Sequence, residues 1–376
     1  MPNRSNNHIL EKSTLLLAAI GLAAFEFFIP RIPIFPWLKP GLANCVTLLW
    51  IIRFGALDAL LFILLRIWTL GFYFGFSFFT LTLSLSGGIA ATLVMGLLWH
   101  SLGKRKILGL VGIGICGALV HNAAQLIAVF VLMARNMYLF YQIPIMLSAS
   151  VFFGTIVSLL VPLLDNLSSP AIETGSDSSE LLKLDTVHKA SAADTILSSI
   201  TFLFCIALIF IPGLYVLSGA AIAVTITVQI IERGSFKAFI RPISRFWMLF
   251  LAIGAFHLLL SYGTRIESIP IVTYEGLYET SAQWLRIWTW LQVASILRKF
   301  QFHLVFFSLL QKIFHRQNDT IYAGLLALEC FPAMIDAMRK NATKGFSRIF
   351  AHPIQWARNA VSQTFKDVSE SVKKEA

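Results

Sequence analysis

Long apolar runs fill the first 165 residues of the chain, and short polar turns separate them. A helix that crosses a bilayer needs about 20 apolar residues, because the hydrocarbon core is about 30 Å thick. The runs lack the two-residue alternation of membrane β-barrel strands, so they predict helices. Six segments are predicted, at residues 13–30, 42–54, 56–76, 78–99, 107–133 and 143–164. The second is short and the third follows it almost at once, so one of these two is expected to be broken or tilted.

Between Asp165 and Asp194 the apolar pattern stops, and Ser, Gly, Pro and acidic residues take its place. This composition predicts a cytoplasmic linker. Apolar segments then return at residues 195–211, 213–231, 243–262 and 282–297, and two shorter or interrupted ones follow at 302–314 and 320–338. Because Glu329, Pro332 and Asp336 interrupt the last of these, we expect interfacial or packed amphipathic helices there.

The composition agrees with a membrane protein. Hydrophobic residues make up 57% of the chain and charged residues only 13%, against about 25% charged in an ordinary globular domain. A soluble fold of 376 residues could not cover so much apolar surface. The predicted fold class is therefore an all-α, polytopic transmembrane helical bundle with two membrane domains. The predicted parts are a six-helix membrane domain at 13–165, a linker at 166–193, a second membrane domain at 194–345 and a polar tail at 346–376.

The distribution of positive charge predicts the orientation, since Lys and Arg favour cytoplasmic loops. One set of predicted loops contains Arg4, Lys12, Arg53, Lys104, Arg105 and Lys106, and the other contains Arg31, Lys39 and Arg135. This asymmetry favours a cytoplasmic N-terminus in a bacterial inner membrane. From Arg298 onward the chain has twelve Lys or Arg and six Asp or Glu, so we expect this part to be cytoplasmic too. Anionic lipid headgroups explain such a basic region more simply than nucleic acid does.

Several motifs of enzyme chemistry are missing from the sequence. It has no G-x-x-x-x-G-K-[ST] phosphate loop, no Asp-Asp-x-x-Asp magnesium–diphosphate motif and no G-x-S-x-G nucleophile motif. Its four cysteines are far apart and each lies in an apolar stretch, so neither a zinc site nor a disulfide framework is expected. We therefore expect a protein that is not an enzyme and has no metal or cofactor.

A few polar side chains fall inside the apolar segments, where they are costly unless they meet a partner or a ligand. Glu26 lies in the first segment, and either faces a cavity or pairs with Arg31 near the membrane surface. Arg66 in the third segment is a candidate counter-ion for Glu26 or for an anionic ligand. His121 and Gln125, four residues apart, share a helix face with Asn122 beside them. These three either line a ligand pocket or hydrogen-bond between helices.

The first half resembles a known family through an ordered set of motifs. They are Glu26, Pro33, Pro36, Lys39-x-Gly41-Leu42-Ala43-Asn44, Leu65-Arg66, Ser86-Gly87-Gly88 and His121-Asn122-x-x-Gln125. This set is similar to the Gx transporter family, also labelled heptaprenyl diphosphate synthase component I. Its members resemble the six-helix substrate-binding (S) components of energy-coupling factor importers. The resemblance implies that Glu26, Arg66, His121, Asn122 and Gln125 bind a small-molecule substrate.

The second half resembles the transmembrane (T) component of the same importers. The similarity lies in Thr273-x-Glu275-Gly276-Leu277, Arg286, and the stretch from Leu326 to Gly345. T components dock on ATP-binding-cassette ATPase subunits through short Ala-Arg-Gly signatures, where this chain has Met338-Arg339-Lys340 and Lys344-Gly345. The resemblance implies that Arg339, Lys340 and Lys344 contact an ATPase partner. The alternative is that these three are ordinary positive charges on the cytoplasmic side.

Three functions follow from these observations. The preferred one is a fused S-plus-T membrane subunit of an energy-coupling factor-type importer. The second is a membrane component associated with a prenyl diphosphate synthase, as the family label states. The third is an assembly or structural subunit of a membrane redox complex, for which the sequence provides no positive motif.

Overall fold

The computed structural model confirms an all-α polytopic bundle. It describes residues 4–28, 41–74, 78–131, 137–165, 191–211, 213–234, 236–260, 263–267, 269–300 and 302–342. In the described residues the α-helices are α1 Arg4–Phe28, α2 Ala43–Phe54, α3 Ala56–Phe74, α4 Phe78–Leu98, α5 Leu110–Val129, α6 Ile143–Asp165, α7 Ala192–Phe210, α8 Leu214–Ile231, α9 Phe236–Leu260, α10 Tyr274–Lys299, α11 Phe302–Ile313 and α12 Asn318–Ala342. A π-helical turn, Trp99–Gly103, extends α4, and short 3-10 turns cover Met137–Gln142 and His315–Gln317. Strands β1 Arg265–Ile266 and β2 Ile269–Thr273 form an antiparallel hairpin between α9 and α10.

Six helices of the described chain are long and apolar enough to cross a membrane. They are His8–Glu26, Ala56–Tyr73, Thr80–Gly103, Leu110–Val129, Leu139–Asp165 and Leu214–Ile231. The protein is therefore a multi-pass membrane protein. Helix α2 has only 12 residues, or about 18 Å at 1.5 Å per residue, which is too short to cross the hydrocarbon core alone. One of the segments 42–54 and 56–76 was expected to be broken or tilted, and the short helix α2 corresponds to the first of them.

Small residues bring α4, α5 and α6 into close contact. A Cβ on Gly154 would lie 2.6 Å from the Ile115 Cα, and a Cβ on Gly114 would overlap the Ser158 hydroxyl. A Cβ on Gly117 would lie 2.5 Å from the Met95 sulfur on α4. Small residues at helix crossings allow the backbones to approach closely, which is the usual way for membrane helices to pack.

Helix α12 packs on α1 and α3, far from it in sequence. Its residues Ile321, Ala323, Ala327, Cys330 and Phe331 are fully buried. Ile321, Ala327, Cys330 and Phe331 belong to one hydrophobic core that also contains residues of α1, α2 and α3. Of the two expectations for this segment, an interfacial helix or a packed one, the structure has the packed one. The predicted first and second membrane domains thus share a core.

The direction of α12 follows from its contacts along α3. Its start meets the start of α3, where the Thr320 hydroxyl donates to Asp58 at 2.6 Å. Further along, the Tyr73 hydroxyl at the far end of α3 donates to the Leu328 carbonyl at 3.0 Å. The two helices are therefore parallel, and α12 traverses the full length of α3. We call the two ends of the bundle the Lys12 end, where Asp58 and Lys12 lie, and the Tyr73 end.

This direction bears on the orientation expected from the charge distribution, which stays a prediction. The N-terminus and the whole chain beyond residue 298 were both expected in the cytoplasm. The last turns of α12, which contain Arg339 and Lys340, lie at the Tyr73 end. Because α3 is a candidate span, the Lys12 end and the Tyr73 end face opposite sides of the membrane, and only one of them can be cytoplasmic.

Candidate functional site

The N-terminus of α2 lies inside the bundle and contacts a carboxylate. The backbone N–H of Leu42, directly before α2, donates to Oε1 of Glu26. Glu26 is buried, with 8% of its surface exposed. The first amides of a helix have no partner within the helix and form the positive end of its dipole, so they attract a carboxylate. The structure therefore has a buried anion on a helix N-terminus, near the Tyr73 end of α1.

Arg66 of α3 contacts the same end of α2. Its Nη1 donates to the Ala43 carbonyl at 2.9 Å and to the Thr47 hydroxyl at 3.3 Å, and its Nη2 donates to the Asn44 side-chain oxygen at 3.5 Å. The guanidinium is close enough to Glu26 to be attracted electrostatically. Arg31, the alternative partner expected for Glu26 from the sequence, lies outside the described part of the chain. In the described residues the pairing of Glu26 is with the α2 N-terminus and Arg66.

His121 and Gln125 of α5 face α4. Nε2 of Gln125 lies 3.0 Å from Nε2 of His121 and donates to the Leu83 carbonyl of α4 at 3.2 Å. A Cβ on Gly87 of α4 would lie 2.8 Å from the His121 ring. The absence of a side chain at Gly87 thus provides the space in which the imidazole sits. Both side chains face a neighbouring helix and are not on the surface that would contact lipid.

Asn122 contacts the next helix. Its Nδ2 donates to the Ser150 hydroxyl of α6 at 2.7 Å. The Ser150 hydroxyl in turn donates to the Met146 carbonyl at 2.6 Å. This arrangement matches hydrogen bonding between helices, the alternative considered for this residue.

The five predicted substrate residues form two groups in the structure. Glu26 and Arg66 surround the α2 N-terminus, whereas His121, Asn122 and Gln125 lie in the α4–α5–α6 part of the bundle. Helix α4 lies between the groups, because Gly88 packs on Ile63 of α3 while Gly87 packs on His121 of α5. The convergence of all five in one cavity stays a prediction. The candidate site with the clearer ligand chemistry is the one at α2.

The three predicted coupling residues lie at or beyond the end of α12. Arg339 and Lys340 belong to the last two turns of that helix, and their side chains are outside the described part of the chain. Lys344 lies outside it altogether. Their contact with an ATPase partner stays a prediction.

Sequence reasoning missed a buried ion pair at the Lys12 end. Nζ of Lys12 lies 2.7 Å from Oδ2 of Asp58 and donates to the Thr320 hydroxyl at 2.7 Å. Lys12 is 8% exposed and Asp58 7%. Close by, Arg53 forms ion pairs with Glu11 and with Asp165, the latter at 2.6 Å. These contacts fasten α1, α2, α3, α6 and α12 together, which is a structural role.

Comparison with known proteins finds a match for the first half of the chain only. The fold defines a multi-pass helical membrane protein. Residues 15–164 match the model of a family described as heptaprenyl diphosphate synthase component I, which confirms the resemblance of the first half. The match begins within α1, includes α2 to α5 and nearly all of α6, and ends before α7. No curated protein and no solved structure matches the chain.

Proposed function

We propose that this chain is a membrane subunit of an energy-coupling factor-type importer. Residues 13–165 bind a small substrate, and residues 194–345 connect that bundle to ATP-binding-cassette ATPase subunits. The proposal concerns binding and coupling and assigns the chain no catalytic step. The similarity of the first half to the Gx-type family and of the second half to T components supports it.

The observation that supports substrate binding best is the short helix α2. Its N-terminus lies within the bundle, with Glu26 on the Leu42 amide and Arg66 on the Ala43 carbonyl. Helix N-termini commonly bind anionic groups, because their first amides have no partner within the helix and form the positive end of its dipole. A substrate anion could bind these amides while a donor group of the same substrate binds the released Glu26 carboxylate, and Arg66 would supply the permanent positive charge beside the anion.

Native mass spectrometry of the protein purified from its own membrane tests this binding directly. A retained small molecule, lost in both Glu26→Gln and Arg66→Lys, is expected. The variant Glu11→Gln is a matched control, because Glu11 is a partly buried carboxylate that contacts Arg53 at the Lys12 end. Equal retention of the molecule in all variants would contradict the site at α2.

The coupling half of the proposal depends on which end faces the cytoplasm. The Lys and Arg count of the first six helices favours a cytoplasmic Lys12 end. In that orientation the ATPase subunits dock at the Lys12 end, and Arg339 is on the other side. In the reverse orientation Arg339, Lys340 and Lys344 are the docking residues, as the T-component resemblance implies.

Cysteine labelling in intact cells distinguishes the orientations. A cysteine placed at His8, which is exposed, should be protected from an impermeant reagent, and one placed at residue 342 should react. The Arg339→Glu protein should then still recover its ATPase subunits on purification. Labelling at His8 together with loss of the ATPase subunits in Arg339→Glu would restore Arg339 as the coupling residue.

A second candidate function rests on the family match. The matching family is described as a component of heptaprenyl diphosphate synthase, so the chain is alternatively the membrane component of such an enzyme. Mixing the purified protein with a soluble prenyl diphosphate synthase separates the candidates. Faster chain elongation in the mixture, with no ATPase subunits copurifying, would favour the synthase component over the importer.

A further inference from the structure

Three consecutive basic residues form an exposed turn between α4 and α5. Lys104, Arg105 and Lys106 are all exposed. The turn is held by its backbone, since the Lys104 amide donates to the Trp99 carbonyl at 2.9 Å and the Lys106 amide donates to the Gly103 carbonyl at 2.9 Å. The three charges are therefore displayed together on a fixed backbone.

The turn lies at the Lys12 end of the bundle. Near the end of α4, a Cβ on Gly96 would lie 2.6 Å from the Cβ of Ala56, the first residue of α3. Asp58, two residues further on, is the partner of Lys12. The turn follows α4 by only the five residues of the π-helical segment. It is therefore close to one surface of the membrane.

The charges of this turn differ from those of Lys12 and Arg53 at the same end. Lys12 is neutralised by Asp58, and Arg53 by Glu11 and Asp165. Among the residues that the structure describes, Lys104, Arg105 and Lys106 have no ion-pair partner. Three adjacent positive charges are thus left for an external anion.

The surroundings of the turn are apolar. Leu97 on α4 and Ile107 after the turn are exposed by 68% and 67%, and Val111 on α5 is exposed too. Trp99 is half-buried at the end of α4; Trp is enriched where a membrane protein meets the lipid headgroups. Exposed apolar side chains directly below a basic cluster fit the boundary between acyl chains and headgroups better than they fit water.

The geometry points to a binding site for anionic phospholipid headgroups at Lys104, Arg105 and Lys106. The lipid phosphate would lie against the three cations, and its acyl chains would lie along the exposed apolar side chains of α4 and α5. Each Lys or Arg near an anionic membrane surface contributes about 1 kcal/mol, which corresponds to about fivefold in affinity. This inference does not depend on the proposed transport function.

Native mass spectrometry of the detergent-purified full chain tests it. The probes are phosphatidylglycerol and phosphatidylcholine with identical acyl chains, titrated separately. We expect tighter binding of the first phosphatidylglycerol molecule than of phosphatidylcholine. In K104Q/R105Q/K106Q this binding should weaken at least tenfold and the preference should disappear.

The matched control is R233Q/R265Q/K299Q, which removes the same number of exposed charges from other parts of the chain. It should retain the preference, and thermal unfolding of both variants should show that each is folded. An equal loss of preference in the control, or an unchanged affinity in K104Q/R105Q/K106Q, would overturn the proposal. Displacement of the lipid by millimolar inorganic phosphate would overturn it too, because the turn would then bind a free anion.

Discussion

Two buried charged clusters lie in the part of the bundle that the structure describes, and their charges are satisfied in different ways. At the Lys12 end, Lys12 and Asp58 pair directly at 2.7 Å, and Thr320 closes the network by bonding both. At α2, Glu26 binds a backbone amide and Arg66 binds a backbone carbonyl. The first arrangement leaves the two charged groups fully occupied by each other. In the second, each charged side chain is bound to an uncharged backbone group at a helix end. A ligand with its own hydrogen-bond donor and acceptor can replace those backbone groups.

This difference between the clusters indicates that the Lys12–Asp58 pair stabilises the fold and that the groups at α2 bind a ligand. Breaking a buried ion pair leaves one charge uncompensated in a region of low polarity, which costs several kcal/mol. Removing a charge from a helix end costs less, because the amide N–H can donate to another polar partner. We therefore expect substitutions at the Lys12 end to affect folding, and substitutions at α2 to affect ligand retention.

The largest effect is expected for Asp58→Asn. It leaves the Lys12 ammonium buried without its counter-ion, and should lower the free energy of unfolding by about 3–5 kcal/mol. Thermal unfolding in detergent measures the change. The double variant Lys12→Met/Asp58→Leu should recover most of the stability, because it removes both charges at similar volume. A double variant as unstable as Asp58→Asn would show that the network is not a simple ion pair.

The second largest effect is expected for Glu26→Gln, and it should be an effect on ligand binding. It removes the anion from the α2 N-terminus but keeps its shape. We expect the occupancy of a copurified small molecule to fall at least tenfold, with a change of about 1 kcal/mol in the free energy of unfolding. Parallel measurements of ligand retention and thermal unfolding check this. A loss of stability as large as that of Asp58→Asn would remove the distinction between the two clusters.

Gly87→Ala extends the comparison to the α4–α5 contact. The new methyl group would lie 2.8 Å from the His121 ring and 3.0 Å from Gln125 Cγ, so it should displace the imidazole at a cost of about 1–3 kcal/mol. In contrast, Gly219→Ala on α8 meets no atom within 4 Å, and should stabilise the helix by about 0.5–1 kcal/mol. Urea or thermal unfolding measures the stability of both variants. Equal changes in stability would contradict the close contact between Gly87 and His121.

The smallest effect is expected at the hairpin before α10, outside the bundle core. The Glu275 carboxylate accepts hydrogen bonds from the Thr264 amide and the Thr264 hydroxyl, each at 2.9 Å. Hydrogen bonds from its own amide and from Thr264 lower the pKa of Glu275 below its ordinary value of 4.5. Because the folded pKa is the lower one, the carboxylate stabilises the hairpin fully above pH 4.5, and this contribution is lost as the pH falls through the folded pKa.

Hydrogen exchange of the hairpin amides at pH 6 and pH 3 measures this change. The wild-type hairpin should exchange faster at the lower pH, after correction for the intrinsic rate. The Glu275→Gln protein should show little of this pH dependence, and a pH dependence as large as that of the wild type would assign it to another group.

Sequence patterns predicted the first six helices well, because each apolar run corresponds to one helix. They predicted later starts for α9 and α10 than the structure shows, since Phe236–Ile243 and Tyr274–Ser281 mix polar and apolar residues. The hairpin at Arg265–Thr273 was missed for a similar reason: its strands are only two and five residues long.

The two charged clusters differed in how visible they were in the sequence. Glu26 and Arg66 stood out because each is a lone charge in an apolar run. Lys12 appeared to be a loop cation, and nothing local marks Asp58 as its partner. The third member, Thr320, is 262 residues from Asp58, and a common hydroxyl in a late helix gives no signal of a partner so distant. Packing of α12 along α3 creates this cluster, and periodicity within one helix does not contain that information.

The position of α12 has a consequence for the order of synthesis. Asp58 leaves the ribosome long before Thr320, which is 262 residues later in the chain. At about 5–20 residues per second, this interval is roughly 10–50 s. During that time the groove on α1 and α3 is without α12, while Lys12 and Asp58 are already made. The newborn first half therefore exists for this interval without α12 in that groove, and the Lys12–Asp58–Thr320 network is completed only when α12 arrives.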